Sequence, residues 1–259
     1  MINDPPKIIR IASTTSIQNS GLMDVLIPAY EKNSRYHIRV ELIPVGTGKA
    51  IRLAKKGQAD LIFVHDPFRE EKFVSTGYGV NRRTVMYNEF LIVGPENDPA
   101  NVKESQSATE AFEAISQKAA PFVSRGDDSG TNFREMDLWE DIGINPRGKG
   151  WYFEAGANMG QTLLAADNKK AYTLVDSSTF FYNRKKIRLA ELFRNDPILN
   201  NLYSIIAVNP VNYPEVNYRE SMDFIAFATS PEGQEVIAGY TREGVVLFNP
   251  AAFPIMNNP

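Results

Sequence analysis

The chain alternates between short apolar runs, small hydroxyl or glycine residues, and stretches with helical spacing. Ile8-Ile9-Arg10-Ile11-Ala12 has the make-up of a buried strand, and Ser13-Thr14-Thr15-Ser16 follows at once. An amphipathic helix is expected from about Gly21 to Tyr30, with Leu22, Val25, Leu26 and Tyr30 on one face. Ile38 to Ile43 alternates as a strand; Val45-Gly46-Thr47-Gly48-Lys49-Ala50 leads from it into a helix through Ile51, Leu53 and Ala54. Ala59 to Pro67 reads as a buried strand ending in polar residues, and a loop-rich passage is expected from Lys72 to Arg83. Thr84 to Pro95 is extended and too long for an ordinary strand; Leu202 to Pro210 is a second such run. Between them come a helix over Ala108–Ile115, a strand end at Pro121–Val123 and a helix with Phe133, Met136 and Trp139 on one side. A strand over Trp151–Glu154, a helix over Gln161–Ala166, a strand over Ala171–Asp176 and a helix from Ser177 follow. Helices over Tyr218–Ala228 and Glu232–Ala238 come last.

Strand–turn–helix units repeated in this way argue for an α/β fold with mainly parallel sheets flanked by helices. The two long extended runs divide the chain into a discontinuous lobe, residues 1–88 plus 205–259, and an inner lobe, 89–204. Two lobes joined by two crossing strands form a hinged clamp. Within each lobe, the strands should present their carboxyl ends, and so the polar junctions, on one edge.

Composition narrows the chemistry. Hydrophobic content of 43% and charged content of 23% are those of a globular protein. Net charge is -3 and no Lys/Arg block stands out, which argues against nucleic acid or an anionic membrane as partner. A bound anion would sit in a local pocket. Without Cys there are no disulfides, thiolate metal sites or Cys nucleophiles. His37 and His65 are too few for a His-rich metal site, so no resident metal or cofactor is expected. No run approaches the roughly 20 apolar residues that span a bilayer. Met1 to Pro6 lacks the apolar core of a signal peptide, so the chain is expected to be cytosolic or to have lost a leader.

Ser124-Arg125-Gly126-Asp127-Asp128-Ser129-Gly130-Thr131 is the richest junction. Asp128 or Ser129 would cap the helix that follows, and Gly130 admits a close backbone approach. The helix end presents free N–H groups and a positive dipole; Arg125 adds a fork of donors, and Ser129 and Thr131 add hydroxyls. Such a set suits an oxyanion, although Asp-Asp-Ser-Gly is also ordinary turn and cap chemistry. Ser13 to Ser16 and Val45 to Lys49 are two more donor-rich junctions. Neither a phosphate-binding P-loop nor a full G-x-G-x-x-G is present, so a nucleotide site is not expected. Asp176-Ser177-Ser178 fits a plain N-cap, and His65 fits a ligand contact or a strand-end residue equally well. Charge-assisted hydrogen bonds contribute roughly 1.5–3 kcal/mol each. Six or so offset the desolvation of a dianion and reach about -12 kcal/mol, nanomolar affinity, without bulk positive charge.

Taken together, Ser13 to Ser16, Val45 to Gly48, Val64-His65-Asp66-Pro67, Gly77 to Arg83, Ser124 to Thr131 and Ala171 to Leu174 resemble the type II extracytoplasmic solute-binding proteins of ABC importers. Within them the chain looks closest to the tungstate-binding, TupA-type proteins. The resemblance covers most of the chain in the expected order, and Arg125 to Thr131 is its most specific piece. It implies a two-lobed periplasmic-binding-protein fold and a monomer, periplasmic or on the outer face of the cell membrane, that gives a tetrahedral oxyanion to ABC permease subunits. Tungstate is the expected ligand and molybdate the second. Thr14, Thr15, Ser16, Thr47, His65, Arg125, Ser129, Gly130 and Thr131 are implied to surround it. Phosphate-binding proteins of the same fold place a carboxylate where His65 falls; a fully ionised oxyanion has no proton for it, so a donor suits tungstate or molybdate. One departure is Asp176-Ser177-Ser178-Thr179, where the family often has Arg-Gly-Thr and so a cationic contact.

Phosphate or sulfate is the alternative within the class. An oxyanion-sensing domain of a transcription regulator would require a DNA-binding segment, and no basic helix-turn-helix is read here. An enzyme is not expected: Asp127, Asp128 and Ser129 lack a G-x-S-x-G elbow, and His37 and His65 are the only possible His partners.

Overall fold

The computed structural model describes residues 5–242 and 244–252. Its strands are β1 (Lys7–Ser13), β2 (Ile38–Pro44), β3 (Leu61–Val64), β4 (Gly79–Gly94), β5 (Phe122–Ser124), β6 (Tyr152–Glu154), β7 (Thr173–Asp176), β8 (Ala190–Phe193), β9 (Asn200–Val208), β10 (Thr241–Arg242), β11 (Val245–Val246) and β12 (Asn249–Pro250). Its α-helices are α1 (Thr15–Ser20), α2 (Met23–Asn33), α3 (Thr47–Ala54), α4 (Pro67–Ser75), α5 (Ala108–Gln117), α6 (Gly130–Asp141), α7 (Met159–Lys169), α8 (Ser177–Asn183), α9 (Tyr218–Ala228) and α10 (Pro231–Gly239). The chain forms two compact units. Unit 1 takes the chain up to Tyr87 and from Leu202 onward; unit 2 is Asn88–Asn201.

In unit 1, β2 and β3 flank β1 in parallel, with Ser13 level with Pro44 on one side and Phe63 on the other. β9 runs antiparallel to β3, Leu61 facing Ala207. Ile9, Ile11 and Ala12 of β1 and all four residues of β3 are fully buried, which is why these strands read as continuous apolar runs. In unit 2, β5 and β6 are parallel, and Phe122 bridges Tyr172 in parallel just before β7. The second half of β4 runs antiparallel to β7 and β8. Both sheets are therefore mixed, parallel where the helices cross over and antiparallel at the long strands.

Unit 2 is built on an aromatic core. α5 starts at the N-cap Ser107, and its Ala108, Ala111, Phe112 and Ile115 point inward at helical spacing. Phe112 meets Trp139 of α6 at 4.4 Å between ring centroids, and Phe122 meets Trp139 edge-on at 5.3 Å. Such pairs contribute about 0.5–1.5 kcal/mol each beyond area burial. They fix α6 on β5 and so set the position of its N-terminus.

Several local expectations change. Thr15 and Ser16 are not loop residues; they open the short α1, which ends at Gly21 in the left-handed region (φ 83°). α2 turns Val25 outward, 40% exposed, because Leu26 and Tyr30 already fill the face against the core. The stretch from Lys72 is not loop: Lys72 to Ser75 complete α4, and β4 begins at Gly79. Gly79 is required there, since a Cβ would lie 2.4 Å from the Phe73 ring. Phe133 is 36% exposed, so α6 is anchored by Leu138 and Trp139 rather than by the face Phe133–Met136–Trp139.

Candidate functional site

In unit 1 the carboxyl ends of β1, β2 and β3 lie side by side, and each opens into a helix. The Ser13 hydroxyl donates to the Phe63 carbonyl at 2.8 Å, and Val45 N–H donates to the Ser13 carbonyl at 2.8 Å, so the three ends are tied together. Thr14, Thr15 and Ser16 leave β1, Thr47 leaves β2, and His65 leaves β3; the fold brings these five to one edge. Thr14 is buried; its Oγ1 accepts from Ile17 N–H and lies 2.9 Å from Ser16 Oγ. Thr15 is exposed, and Thr47 is buried as the first residue of α3.

The His65 ring is buried and stacks on Tyr203, 4.6 Å between centroids. The carboxylate of Asp66 is half engaged: Oδ1 caps α4 by accepting from Arg69 N–H at 3.0 Å, while the buried Oδ2 lies 3.5 Å from Arg69 Nε and accepts no hydrogen bond among the described residues. Beneath it, the buried Glu70 accepts from Asp66 N–H at 2.7 Å and from Arg82 Nε at 2.8 Å. Burial raises the Glu70 carboxyl above the usual range, opposed by Arg82. Two cations escaped the sequence reading: a Cβ on Gly48 would lie 3.0 Å from Arg69 Nη1 and 3.4 Å from Arg52 Nη1. Their guanidinium groups thus reach the first turn of α3. Helical spacing alone could have placed Arg52 but not Arg69.

In unit 2 the ends of β5, β6 and β7 likewise open into α6, α7 and α8. Ser129, not Asp128, caps α6, accepting from Asn132 N–H at 3.3 Å; Asn158 caps α7 and Asp176 caps α8. Asp176 also accepts from the Ser178 hydroxyl at 2.5 Å, so this segment acts as a cap. The loop between β5 and α6 has Gly126 and Asp128 in the left-handed region, φ 57° and 54°. A Cβ at Gly126 would strike Glu154 Cβ at 2.7 Å, so both the conformation and the space call for glycine.

Arg125, Ser129, Gly130 and Thr131 are gathered in this one loop and helix start. Arg125 Nη2 donates to Asp127 Oδ2 at 2.5 Å, and the Arg125 side chain is 11% exposed. Arg125 Nε and Thr131 Oγ1 are buried and have no hydrogen-bond partner among the described residues. An unpaired buried donor costs about 1–3 kcal/mol. Of the two, one lies in the loop before a 12-residue helix and the other in the first turn of that helix, after a capping serine; such donors suit an anion.

The loop is held from below. Ser124 Oγ donates to Glu135 Oε2 at 2.6 Å; Tyr152 OH (2.6 Å) and Trp139 Nε1 (3.2 Å) donate to Glu135 Oε1. Burial pushes the Glu135 carboxyl up to about 7, opposed by these donors. A glutamate in mid-helix carries no sequence sign of such a role.

No helix among the described residues is long and apolar enough to cross a membrane. The PBP superfamily domain matches residues 4–232. A putative ABC transporter anion-binding protein of Haloferax volcanii is 46% identical over 256 residues, 97% of this chain and 73% of that protein. The tungstate-binding protein TupA of Peptoclostridium acidaminophilum is 39% identical over 248 residues, 94% of this chain and 86% of that protein. Among solved structures, the tungstate ABC transporter from Geobacter sulfurreducens is similar with a TM-score of 0.84 and 44% identity, covering 92% of this chain and 100% of that one.

Proposed function

We propose a function from one premise: the chain belongs to the PBP superfamily, among its tungstate-binding, TupA-type members. It is an extracytoplasmic solute-binding protein that holds tungstate, with molybdate as second ligand, and hands it to the permease of an ABC importer. It acts by binding alone, without a cofactor. Thr14, Thr15, Ser16, Thr47 and His65 are its ligand residues in unit 1, and Arg125, Ser129, Gly130 and Thr131 those in unit 2.

The observation that carries this reading is the pair of buried, unpartnered donors, Arg125 Nε in the loop that leads into α6 and Thr131 Oγ1 in the first turn of that helix. A desolvated donor needs an acceptor, and an oxyanion supplies several at once. Asp66 makes phosphate the competitor to test. Its Oδ1 is taken by the α4 cap, while its buried Oδ2, 3.5 Å from Arg69 Nε, accepts no hydrogen bond among the described residues and is free to take the proton of hydrogen phosphate.

Isothermal titration at neutral pH with tungstate, molybdate, sulfate and phosphate tests the assignment. One-to-one tungstate binding, tighter than molybdate and without heat from the other two, is expected. Tight phosphate binding would place Asp66 rather than His65 at the ligand, and no heat from any oxyanion would end the proposal.

A further inference from the structure

The loop that carries Arg125 is pinned through one hydroxyl. Ser124 Oγ accepts from Gly126 N–H at 3.2 Å and from Asn132 Nδ2 at 3.1 Å. Asn132 Oδ1 in turn accepts from Asp128 N–H at 3.3 Å. A hydroxyl oxygen has two lone pairs and one proton. Both lone pairs of Ser124 are taken by the loop and by Asn132, so its proton must go to an acceptor, and that acceptor is Glu135 Oε2. Glu135 Oε1 is occupied by the Tyr152 hydroxyl and the Trp139 indole.

We propose that Glu135 is a positioning residue for the oxyanion loop: its carboxylate orients the Ser124 hydroxyl, which fixes Gly126 and, through Asn132, Asp128, and so holds Arg125 and Thr131 in place. The inference rests on the oxyanion reading only for its effect on affinity; its effect on the loop is independent of any ligand. Glu135 keeps all three donors only as a carboxylate. A proton on Oε2 would face the Ser124 hydroxyl proton and turn it away, releasing one of the two groups that Ser124 accepts. Because burial brings this carboxyl close to neutrality, the loop loosens as pH falls through about 7. The groups facing Glu135 are Ser124 from β5, Tyr152 from β6, and Asn132 and Trp139 on its own helix; Glu154 bears on the network through Tyr152. α5 and β7 bring apolar side chains, Phe112 and Leu174, to the same core.

The test uses the whole chain as wild type, Glu135→Gln, Ser124→Ala and Tyr152→Phe. Amide hydrogen exchange at Gly126 and Asp128 is followed without ligand, and tungstate affinity is measured from about pH 6 to about pH 8.5, a span that brackets the wild-type transition. Glu135→Gln should speed exchange at both amides and weaken tungstate about tenfold, the worth of one hydrogen bond, with no pH dependence left. Ser124→Ala should do the same, and combining it with Glu135→Gln should add little. It also serves as the readout if Glu135→Gln does not fold. Tyr152→Phe removes a donor that stabilises the carboxylate, so the pH at which the loop loosens should move upward. Unchanged exchange at Gly126 and Asp128 in Glu135→Gln overturns the proposal, and so does tighter tungstate binding, which would make Glu135 a mere source of repulsion. A loop that loosens in a protein binding no oxyanion upholds the positioning role and removes the ligand; tungstate binding with an unresponsive loop does the reverse.

Discussion

Thr131→Val separates ligand binding from folding because the two effects have opposite signs. Thr131 is the second residue of α6, 1% exposed, and its hydroxyl has no partner among the described residues. Valine has nearly the same shape and a similar helix propensity. In the ligand-free protein the substitution removes a desolvated hydroxyl that costs about 1–3 kcal/mol, so stability should stay level or rise by about 1 kcal/mol. A gain of that size moves the unfolding midpoint up by about 2–4 °C. In the complex the same change removes a charge-assisted hydrogen bond of roughly 1.5–3 kcal/mol, a loss of about ten- to about 150-fold in Kd. Scanning calorimetry without ligand and isothermal titration with tungstate read the two effects on one preparation. Destabilisation by more than about 1 kcal/mol would mean that the hydroxyl serves an internal partner. Unchanged tungstate affinity would mean that it does not face the ligand. Either result refutes the reasoning.

Two other predictions concern charge. Arg125→Ala should weaken tungstate by about 2–5 kcal/mol with the fold intact, and Arg125→Lys should recover only part, since lysine keeps the charge but not the Nε donor. Titration of both variants checks this, and normal affinity in Arg125→Ala would remove Arg125 from the site. The second prediction follows from Glu135, whose carboxyl rises from 4.5 to about 7 on folding. The folded protein holds a proton between those values that the unfolded chain has released, so this contribution to stability is full below about 4.5 and is lost as pH rises through about 7. Its size is at most about 3 kcal/mol. Urea denaturation from about pH 4.5 to about pH 7.5 should therefore show wild type losing stability relative to Glu135→Gln as pH rises, and parallel curves would contradict it.

The junctions after β5 and β7 were legible because two local signals coincide there: a buried apolar run, then a residue able to cap. Ser129 and Asp176 illustrate this, each preceded by a strand and each accepting from an N–H three residues on. α4 was not legible because its pattern is inverted. Glu70 is fully buried while Phe68 is 73% exposed, and the arrangement depends on the tertiary partner Arg82 together with the Asp66 N–H. α1 was hidden because Ile17 is its only apolar residue, and β8 because four residues are too few to show a period. Among the chemical groups, the loop donors could be named from residue type alone. What supports them, Glu135 under Ser124 and Arg69 beside Gly48, depends on contacts between elements that no spacing rule encodes.

The side-chain bond from Asn201 Nδ2 to Asn88 Oδ1, 2.7 Å long, joins the first and last residues of unit 2. Around it lies the pairing of β3 with β9, which brings Val64 against Ser204 across the whole inserted unit. Closing a loop of about 140 residues to make that pairing is entropically costly, and the cost grows as the logarithm of loop length. Once unit 2 has folded, its ends are already together, and the loop left to close shrinks to about 30 residues; the saving is about 1.5 kcal/mol of chain entropy. A contact between two asparagines at a boundary thus makes an interrupted unit almost as easy to close as a continuous one.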